Sequence, residues 1–288
     1  VEKAASLWGT AGQRSLERSA LVEAAGQLTR ALDQIATLPD SPTLRREQIK
    51  LQVALLNPLM HVKGPAAPET KAAVERARLL IEKAEALGEP PEDPLLLFSV
   101  LYGFWGASFN TFNGGVAREL AGQFLALAEK QGSTVPLMIG HRLMGSSLLL
   151  TGEIGESRTH LDQALAFYDP AKHRPLATRF GQDIEVSILL FRSFALWLLG
   201  YPEAALADAD RALKSAREIG HTPTLMTALA NISPMLCGDY VTASACINDL
   251  IALADEQGAL SLKIRGMSLQ GYLFSLTGEA SKAVQVMT

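Results

Sequence analysis

The sequence contains few of the residues that mark several large classes of protein. It has two cysteines, Cys237 and Cys246, and no CxxC pair, which argues against a disulfide framework and a cysteine-based zinc site. Aromatic residues make up only 6% of the 288 positions, whereas alanine and leucine are abundant, and this composition favours a chain of helices over a β-sandwich. Unpaired cysteines are typical of a reducing compartment, so we expect a cytoplasmic protein.

Basic excess and long apolar runs are also missing. The formal net charge is −4 and opposite charges are interspersed, so no basic surface for nucleic acid is predicted. The longest apolar stretches, 95–105 and 188–199, fall short of the roughly 18 residues that span a bilayer. We therefore expect neither nucleic acid nor a membrane as a partner. Both ends have the pattern of helix interiors, which predicts a piece of a longer protein.

The sequence does contain an internal repeat. Five segments run from an apolar helix into glycine, a polar pair and a new helix. The glycine markers lie 38, 48, 38 and 40 residues apart, at Gly114, Gly152, Gly200, Gly238 and Gly278. Small residues stand seven positions before the markers: Ala107, Gly145, Ser193, Asn231 and Gly271. Glycine can adopt positive φ at a turn, and small residues let antiparallel helices approach closely.

This pattern resembles the tetratricopeptide repeat. The string GDYVTA at 238–243 is similar to the family's turn, and TGEIGESRTHLDQALAFYDP at 151–170 follows the second half of a unit. Trp8 and Gly12 occupy first-helix positions of an N-terminal unit. The resemblance implies an all-α fold, an α-solenoid of about seven antiparallel helix pairs that forms one array over 1–288. The pairs are predicted at 2–37, 43–88, 93–131, 134–168, 178–219, 222–257 and 259–288. First helices would mainly line the concave surface.

Four longer strings resemble a more specific class. They are AGQRSLERSALVEAAGQLTRAL (11–32), PLMHVKGPAAPE (58–69), YDPAKHRPLATRFGQD (168–183) and WLLGYPEAALADADRAL (197–213). They are similar to the C-terminal helical-repeat region of bacterial multidomain signalling proteins that join a class III adenylate/guanylate cyclase domain to an ATPase of the AAA/NACHT type. The resemblance implies a regulatory or sensory arm, with the cyclase and ATPase outside this chain.

The sequence lacks the common catalytic and metal-binding motifs. The sequence has no GxxxxGK[ST], HExxH or GxSxG motif. The histidines are scattered over several units, at His61, His141, His160, His173 and His221. We therefore expect no catalytic residue, no metal and no cofactor in this chain, and an enzyme built on helical hairpins has no set of residues to support it.

Three arginines on first helices are candidates for ligand or partner contact. Arg142, Arg192 and Arg265 lie among apolar neighbours, and a buried charge must reach solvent, a carboxylate or a ligand. An anion-binding role and ordinary pairing both remain open. The aromatic segment 98–112, with Tyr102 and Trp105, is compatible with a hydrophobic groove or with core between helices.

The interval between Gly152 and Gly200 is about ten residues longer than the shortest intervals. The surplus lies in 168–183, which we call the insert. A longer connection costs little, about 0.6 kcal/mol per doubling, so the array tolerates it. Its charged residues, Lys172, Arg174, Arg179 and Asp183, predict either a structural plug on its own helices or a contact site for a partner.

Two functional hypotheses follow. The first is a non-catalytic scaffold that contacts other proteins or neighbouring domains of the same chain. The second is a sensor that binds a small molecule or peptide in the concave groove near Arg142, Arg192 and the aromatic segment. Stabilisation by one compound would favour the second hypothesis, because a ligand that binds only the folded state raises its stability.

Overall fold

The computed structural model describes residues 2–89 and 93–287. Its first four helix pairs are α1 (Glu2–Glu17) with α2 (Leu21–Ala36), α3 (Pro42–Val62) with α4 (Pro68–Ala86), α5 (Leu95–Asn110) with α6 (Gly114–Gln131), and α7 (Thr134–Thr151) with α8 (Ile154–Ala166). The insert holds α9 (Pro170–His173), a 3₁₀ turn (Arg174–Leu176) and α10 (Ala177–Phe180). The remaining helices are α11 (Ile184–Leu198), α12 (Pro202–Ile219), α13 (Thr222–Leu229), α14 (Ser233–Leu236), α15 (Tyr240–Glu256), α16 (Leu260–Leu276) and α17 (Ala280–Met287).

The prediction of an all-α solenoid is confirmed. The described part of the chain contains helices without strands, and successive helices pack in antiparallel pairs. The main boundary difference is in the fifth pair, predicted to begin at 178, whose first helix α11 begins at Ile184. Gly181, with φ of 76°, ends α10, and the side chain of Asp183 caps α11 by accepting from the Val186 amide at 3.1 Å.

Alanines on the second helices allow the pairs to stack closely. In α6, Ala117, Ala121 and Ala128 are fully buried and share one core cluster with Phe98 and Phe124. Other clusters follow along the array, so the apolar interior is distributed between neighbouring pairs. This arrangement is what repeat stacking requires, because each pair buries its faces only against its neighbours.

The close approach predicted at the small positions is present in the fourth and seventh pairs. A Cβ added to Gly145 would lie 2.6 Å from Leu161 Cγ, and one added to Gly271 would lie 2.6 Å from Met287 Cγ. Only glycine fits these positions without movement of a neighbour. In the fifth and sixth pairs, the corresponding side chains bond to each other, with Asn231 Nδ2 donating to Ser193 Oγ at 3.3 Å.

The predicted register was wrong at the third pair. Four markers adopt positive φ, between 82° and 90°, at Gly152, Gly200, Gly238 and Gly278. At the third turn, Phe112 takes this conformation, with φ of 56°, and Gly114 already belongs to α6. Counted from Phe112, the position seven residues earlier, which is small in the other pairs, is occupied by Trp105.

The first helix of the sixth pair is also interrupted. It consists of α13 and α14, because proline has no amide hydrogen and Pro234 cannot continue a helical ladder from α13. Asn231 stabilises the break by accepting from the Ser233 amide at 2.9 Å.

The array curves until its two ends touch. Ser261 Oγ in α16 donates to the carbonyl of His61 in α3 at 2.9 Å, across 200 positions of sequence. Gly258 lies against Val22 of α2, with 2.9 Å between an added Cβ and Val22 Cγ2. The insert lies inside this curve, where α10 contacts α3 and α5.

Candidate functional site

Arg142 lies at the centre of an aromatic cluster on three first helices. It projects from α7 and is only 2% exposed. Its Cζ lies 4.8 Å from the centroid of the Trp105 ring, 5.2 Å from Phe191 and 5.6 Å from Tyr102. A guanidinium on aromatic faces gains cation–π stabilisation, which is larger when the group is desolvated. We call Arg142 with these three rings the Arg142 box.

The polar contacts of Arg142 are incomplete. Nε donates to Ser187 Oγ at 2.8 Å, and Ser187 is itself fully buried. The buried Nη1 has no hydrogen-bond partner. Within residues 2–89 and 93–287, no carboxylate forms an ion pair with Arg142, and burial lowers the pKa of its guanidinium. The box therefore holds a buried cation without an anionic partner.

Tyr102 and Trp105 belong to the core and to the box together. They are 5% and 3% exposed, and the indole Nε1 of Trp105 donates to Ser147 Oγ at 2.9 Å. The hydroxyl of Tyr102 accepts from Gln182 Nε2 of the insert at 2.9 Å, and the Phe180 ring meets the Tyr102 ring edge-on at 5.4 Å. The aromatic segment thus packs between helices and also surrounds Arg142.

The other two predicted arginines are differently placed. Arg192 forms a two-pronged ion pair with Asp208, at 2.7 and 2.8 Å, and a third bond to Asp162 at 2.9 Å. The hydrogen bonds that Arg192 donates to Asp208 raise the pKa of Arg192. Arg265 is exposed, and its Nη2 lies 3.5 Å from the Ala230 carbonyl. The structure therefore brings only Arg142 into the aromatic cluster.

Each charged residue of the insert has a partner within the chain. Lys172 pairs with Asp169 at 3.0 Å, Arg174 lies 3.8 Å from Glu218, and Arg179 pairs with Asp93. The insert packs on its own array, as the plug alternative expects. Lys172 is nonetheless largely exposed and Arg174 partly so, which keeps both accessible from solvent.

Asp183 connects the insert to two other segments. Its buried carboxylate accepts from the Tyr168 hydroxyl at 2.7 Å, and its amide donates to Thr224 Oγ1 at 2.8 Å. Burial raises the pKa of Asp183, although the hydrogen bonds from Tyr168 and Val186 act in the opposite direction. Thr224 Oγ1 in turn lies 2.8 Å from His221 Nδ1.

Sequence reasoning missed the contacts that join the insert to α3. Asn57 Nδ2 donates to the carbonyl of Thr178 at 2.7 Å, across 121 positions. Gly181 lies so close that an added Cβ would be 2.5 Å from Asn57 Oδ1 and 2.7 Å from His61 Cε1. No local sequence pattern predicts a contact between residues so far apart in the sequence. The buried Asn57 in a helix of apolar spacing was the only available hint.

The histidines are less scattered than the sequence suggests. His141 and His160 face each other with Nδ1 atoms 2.9 Å apart, and burial lowers the pKa of both. Among the described residues, no group of three or more His, Cys, Asp or Glu side chains is arranged to hold a metal ion. Every described helix is too short or too polar to cross a bilayer.

A cavity of about 560 Å³ lies elsewhere on the array, between α1, α3 and the start of α5. Its charged lining includes Glu47, Lys50, Asp93 and Arg179, so side chains of both charge signs line it. The Arg142 box does not line this cavity, and we therefore treat the two as separate sites.

Comparison with known proteins identifies the fold. No family model matches the chain. A similar sequence is an uncharacterized protein of Rhizobium meliloti (strain 1021), 27% identical over 289 residues, and the match covers 98% of this chain and 26% of that protein. The chain thus spans about a quarter of the length of this curated relative.

Two solved structures are similar in fold. One is a Rap protein complexed with competence and sporulation factor, with a TM-score of 0.65 at 12% identity, covering 99% of this chain and 75% of that one. The other is the apo form of RapI, with a TM-score of 0.63 at 12% identity, covering 98% of this chain and 94% of that one. At this identity the similarity establishes a shared helical-repeat fold.

Proposed function

We propose that this chain is a non-catalytic helical-repeat scaffold that contacts other proteins or neighbouring domains of its own polypeptide. The observation that carries the proposal is the curved array itself, in which the insert contacts the first helices α3 and α5. A protein of similar fold has been crystallised in complex with competence and sporulation factor, which supports a role in binding. The accessible Lys172 and Arg174 are the proposed partner contacts.

We further propose that the chain is the regulatory arm of a cytoplasmic signalling protein with cyclase and ATPase domains. The four resembling strings support this parent, and the curated relative, almost four times as long as the matched region, shows that a similar sequence occurs within a much longer polypeptide. Sequencing the complete reading frame tests it. We expect a class III cyclase domain and an ATPase domain in the same polypeptide. A reading frame without either domain would refute the parentage and leave the fold unaffected.

Binding in trans tests the scaffold. The chain and the remainder of its polypeptide are expressed separately and mixed in an isothermal titration. We expect a saturable complex that is weakened by the charge reversals Lys172→Glu and Arg174→Glu, because both side chains are accessible and neither holds a helix pair together. The matched control is the charge reversal Lys3→Glu, because Lys3 is exposed on α1. Absence of any complex would contradict the interdomain role.

The alternative is a sensor for a small molecule or peptide. One observation favours it, the unpartnered Nη1 of the buried Arg142. Screening metabolites and nucleotides by thermal shift is the test, since a ligand that binds the folded state raises the unfolding temperature. A reproducible shift that disappears in Arg142→Ala would locate the ligand at the box.

A further inference from the structure

Among the described residues, the buried charges follow a rule to which Arg142 is an exception. Glu185 pairs with Arg211, and Asp208 pairs with Arg192. Asp183 accepts hydrogen bonds from Tyr168 and from the Val186 amide. Each of these carboxylates thus has a cation or two donors. Arg142 is equally buried, but its partners are the neutral hydroxyls of Ser187 and Tyr102 and three aromatic rings, and its Nη1 has no hydrogen-bond partner.

An isolated buried cation is costly unless an anion compensates it. The rings offset part of this cost through their faces, but they accept no hydrogen bond from Nη1. We propose that the Arg142 box binds the carboxylate of an apolar organic acid, with Nη1 of Arg142 as a donor and the rings around the apolar part. This inference rests on the sensor alternative of the proposed function and names its ligand class.

The composition of the box selects a carboxylate over a phosphate. A phosphate dianion needs several donors, commonly a second cation or a row of backbone amides at a helix N-terminus. Here Arg142 is the single cation of the box and projects from the interior of α7. A carboxylate carries one charge and matches the planar edge of a guanidinium. Three aromatic rings favour a ligand whose remaining surface is apolar.

The insert gives a route to the box. Gln182 and Phe180 of the insert contact Tyr102, one wall of the box, and Gln182 is only partly buried. Phe191, another ring of the box, is also partly exposed. The entry route that we propose is a side-chain movement of Gln182 or Phe191, which leaves the helix pairs folded. The carboxylate can belong to a free acid or to the C-terminus of a peptide, and the choice of probes distinguishes these two sources.

Four probes and three proteins make the test. The probes are phenylacetate, its neutral analogue phenylacetamide, and the peptide N-acetyl-Leu-Phe with either a free or an amidated C-terminus. They are titrated at constant ionic strength against the wild-type chain, Arg142→Met and Arg265→Met, with unfolding temperature and Trp fluorescence as readouts. Trp105 reports directly, since its ring contacts Arg142. Arg265→Met is the matched control because Arg265 is exposed on a first helix.

We expect phenylacetate or the free-acid peptide to stabilise the wild-type chain saturably. Their neutral analogues should leave its unfolding temperature unchanged. Arg142→Met should weaken binding about tenfold or more, because one charged hydrogen-bonded contact is lost. The same variant without ligand should be at least as stable as wild type, since methionine removes an uncompensated buried charge. Arg265→Met should bind like wild type.

The outcomes distinguish the two carboxylate sources and show which proposal fails. Stabilisation by phenylacetate alone identifies a free acid, and stabilisation by the free-acid peptide alone identifies a peptide C-terminus. Equal shifts with the neutral analogues, or binding that survives Arg142→Met, overturn the carboxylate assignment while leaving a sensor of another ligand class intact. An unresponsive wild-type chain refutes the inference, and a less stable Arg142→Met variant then assigns Arg142 a structural role. The trans-binding titration of the scaffold is independent of all these results.

Discussion

Replacing Gly145 with alanine tests whether close helix approach holds the repeat together. Gly145 lies in the middle of α7, where alanine normally stabilises a helix by about 1 kcal/mol relative to glycine. At this position, however, the new Cβ would lie 2.6 Å from Leu161 Cγ and 3.0 Å from the Ser157 carbonyl oxygen. Leu161 is fully buried, and Ser157 Oγ already bonds to the Gly145 carbonyl at 2.7 Å. Neither neighbour can move aside freely.

The two effects have opposite signs, and the steric one is larger. Overpacking a tight core typically costs about 1–3 kcal/mol, and a contact with backbone belongs to the upper part of that range. After subtraction of the helix-propensity gain, we expect a net destabilisation of about 1–2 kcal/mol. Gly122→Ala is the matched control, because Gly122 lies inside α6 and an added Cβ would have its nearest neighbour, Met144 Cε, at an ordinary 3.7 Å.

Urea denaturation followed by circular dichroism measures both variants, and amide hydrogen exchange locates the change. We expect the midpoint to fall for Gly145→Ala and to rise slightly for Gly122→Ala. Faster exchange should be confined to α7, α8 and the helices beside them, because a repeat array propagates strain mainly to its nearest neighbours. Equal stabilisation in the two variants would refute the packing argument, since it would mean that helix propensity alone decides the outcome.

Three further predictions concern the inner surface. Gly181→Ala should release the insert and expose 168–183 to cleavage by trypsin. Alanine is strained at φ of 76°, and its Cβ would lie 2.5 Å from Asn57 Oδ1 of α3. An unchanged rate of cleavage would contradict this prediction. Burial lowers the pKa of His221 to about 4 from an ordinary value near 6.5, so its contribution is complete above pH 6.5 and is lost as the pH falls towards 4. This loss of about 2–3 kcal/mol in unfolding free energy should be smaller in His221→Gln, as measured by denaturation across that pH range. Asp208→Asn should destabilise by about 1–3 kcal/mol in urea, because it removes the charge that pairs with Arg192 at 2.7 Å, and a neutral effect would show that this partly buried pair contributes little.

The repeat was predictable because its turns demand a particular backbone conformation. Where glycine supplies positive φ, as at Gly152 and Gly200, the marker in the sequence coincides with the turn in the structure. The third turn was predicted at the wrong position. Phe112 takes the positive-φ conformation at this turn, which few non-glycine residues do, whereas the glycine pattern placed the turn at Gly114, two positions later. Sequence patterns thus locate turns only where residue type and conformation agree.

The candidate site was predictable in part, for a related reason. Arg142 was identifiable because a charge within an apolar helical pattern must find compensation, and Tyr102 and Trp105 because they belong to the aromatic segment 98–112. The partner that Arg192 finds in Asp208 was not identifiable, since it depends on which faces of α11 and α12 meet. Sequence alone could not distinguish the paired arginine from the unpaired one.

The contacts of longest range were beyond prediction because they depend on the accumulated curvature of the array. Small rotations at each pair add up until α16 reaches α3, and an error of a few degrees per pair would separate Ser261 from the His61 carbonyl. These inner contacts are mostly single hydrogen bonds, each worth about 1 kcal/mol net, whereas neighbouring pairs share extensive apolar surface. We therefore expect the closure to be less stable than the contacts between neighbouring pairs. Because the insert is bonded through Asn57 to α3, the same helix that Ser261 reaches, and also contacts the Arg142 box through Gln182, we expect a ligand that displaces Gln182 to weaken the closure.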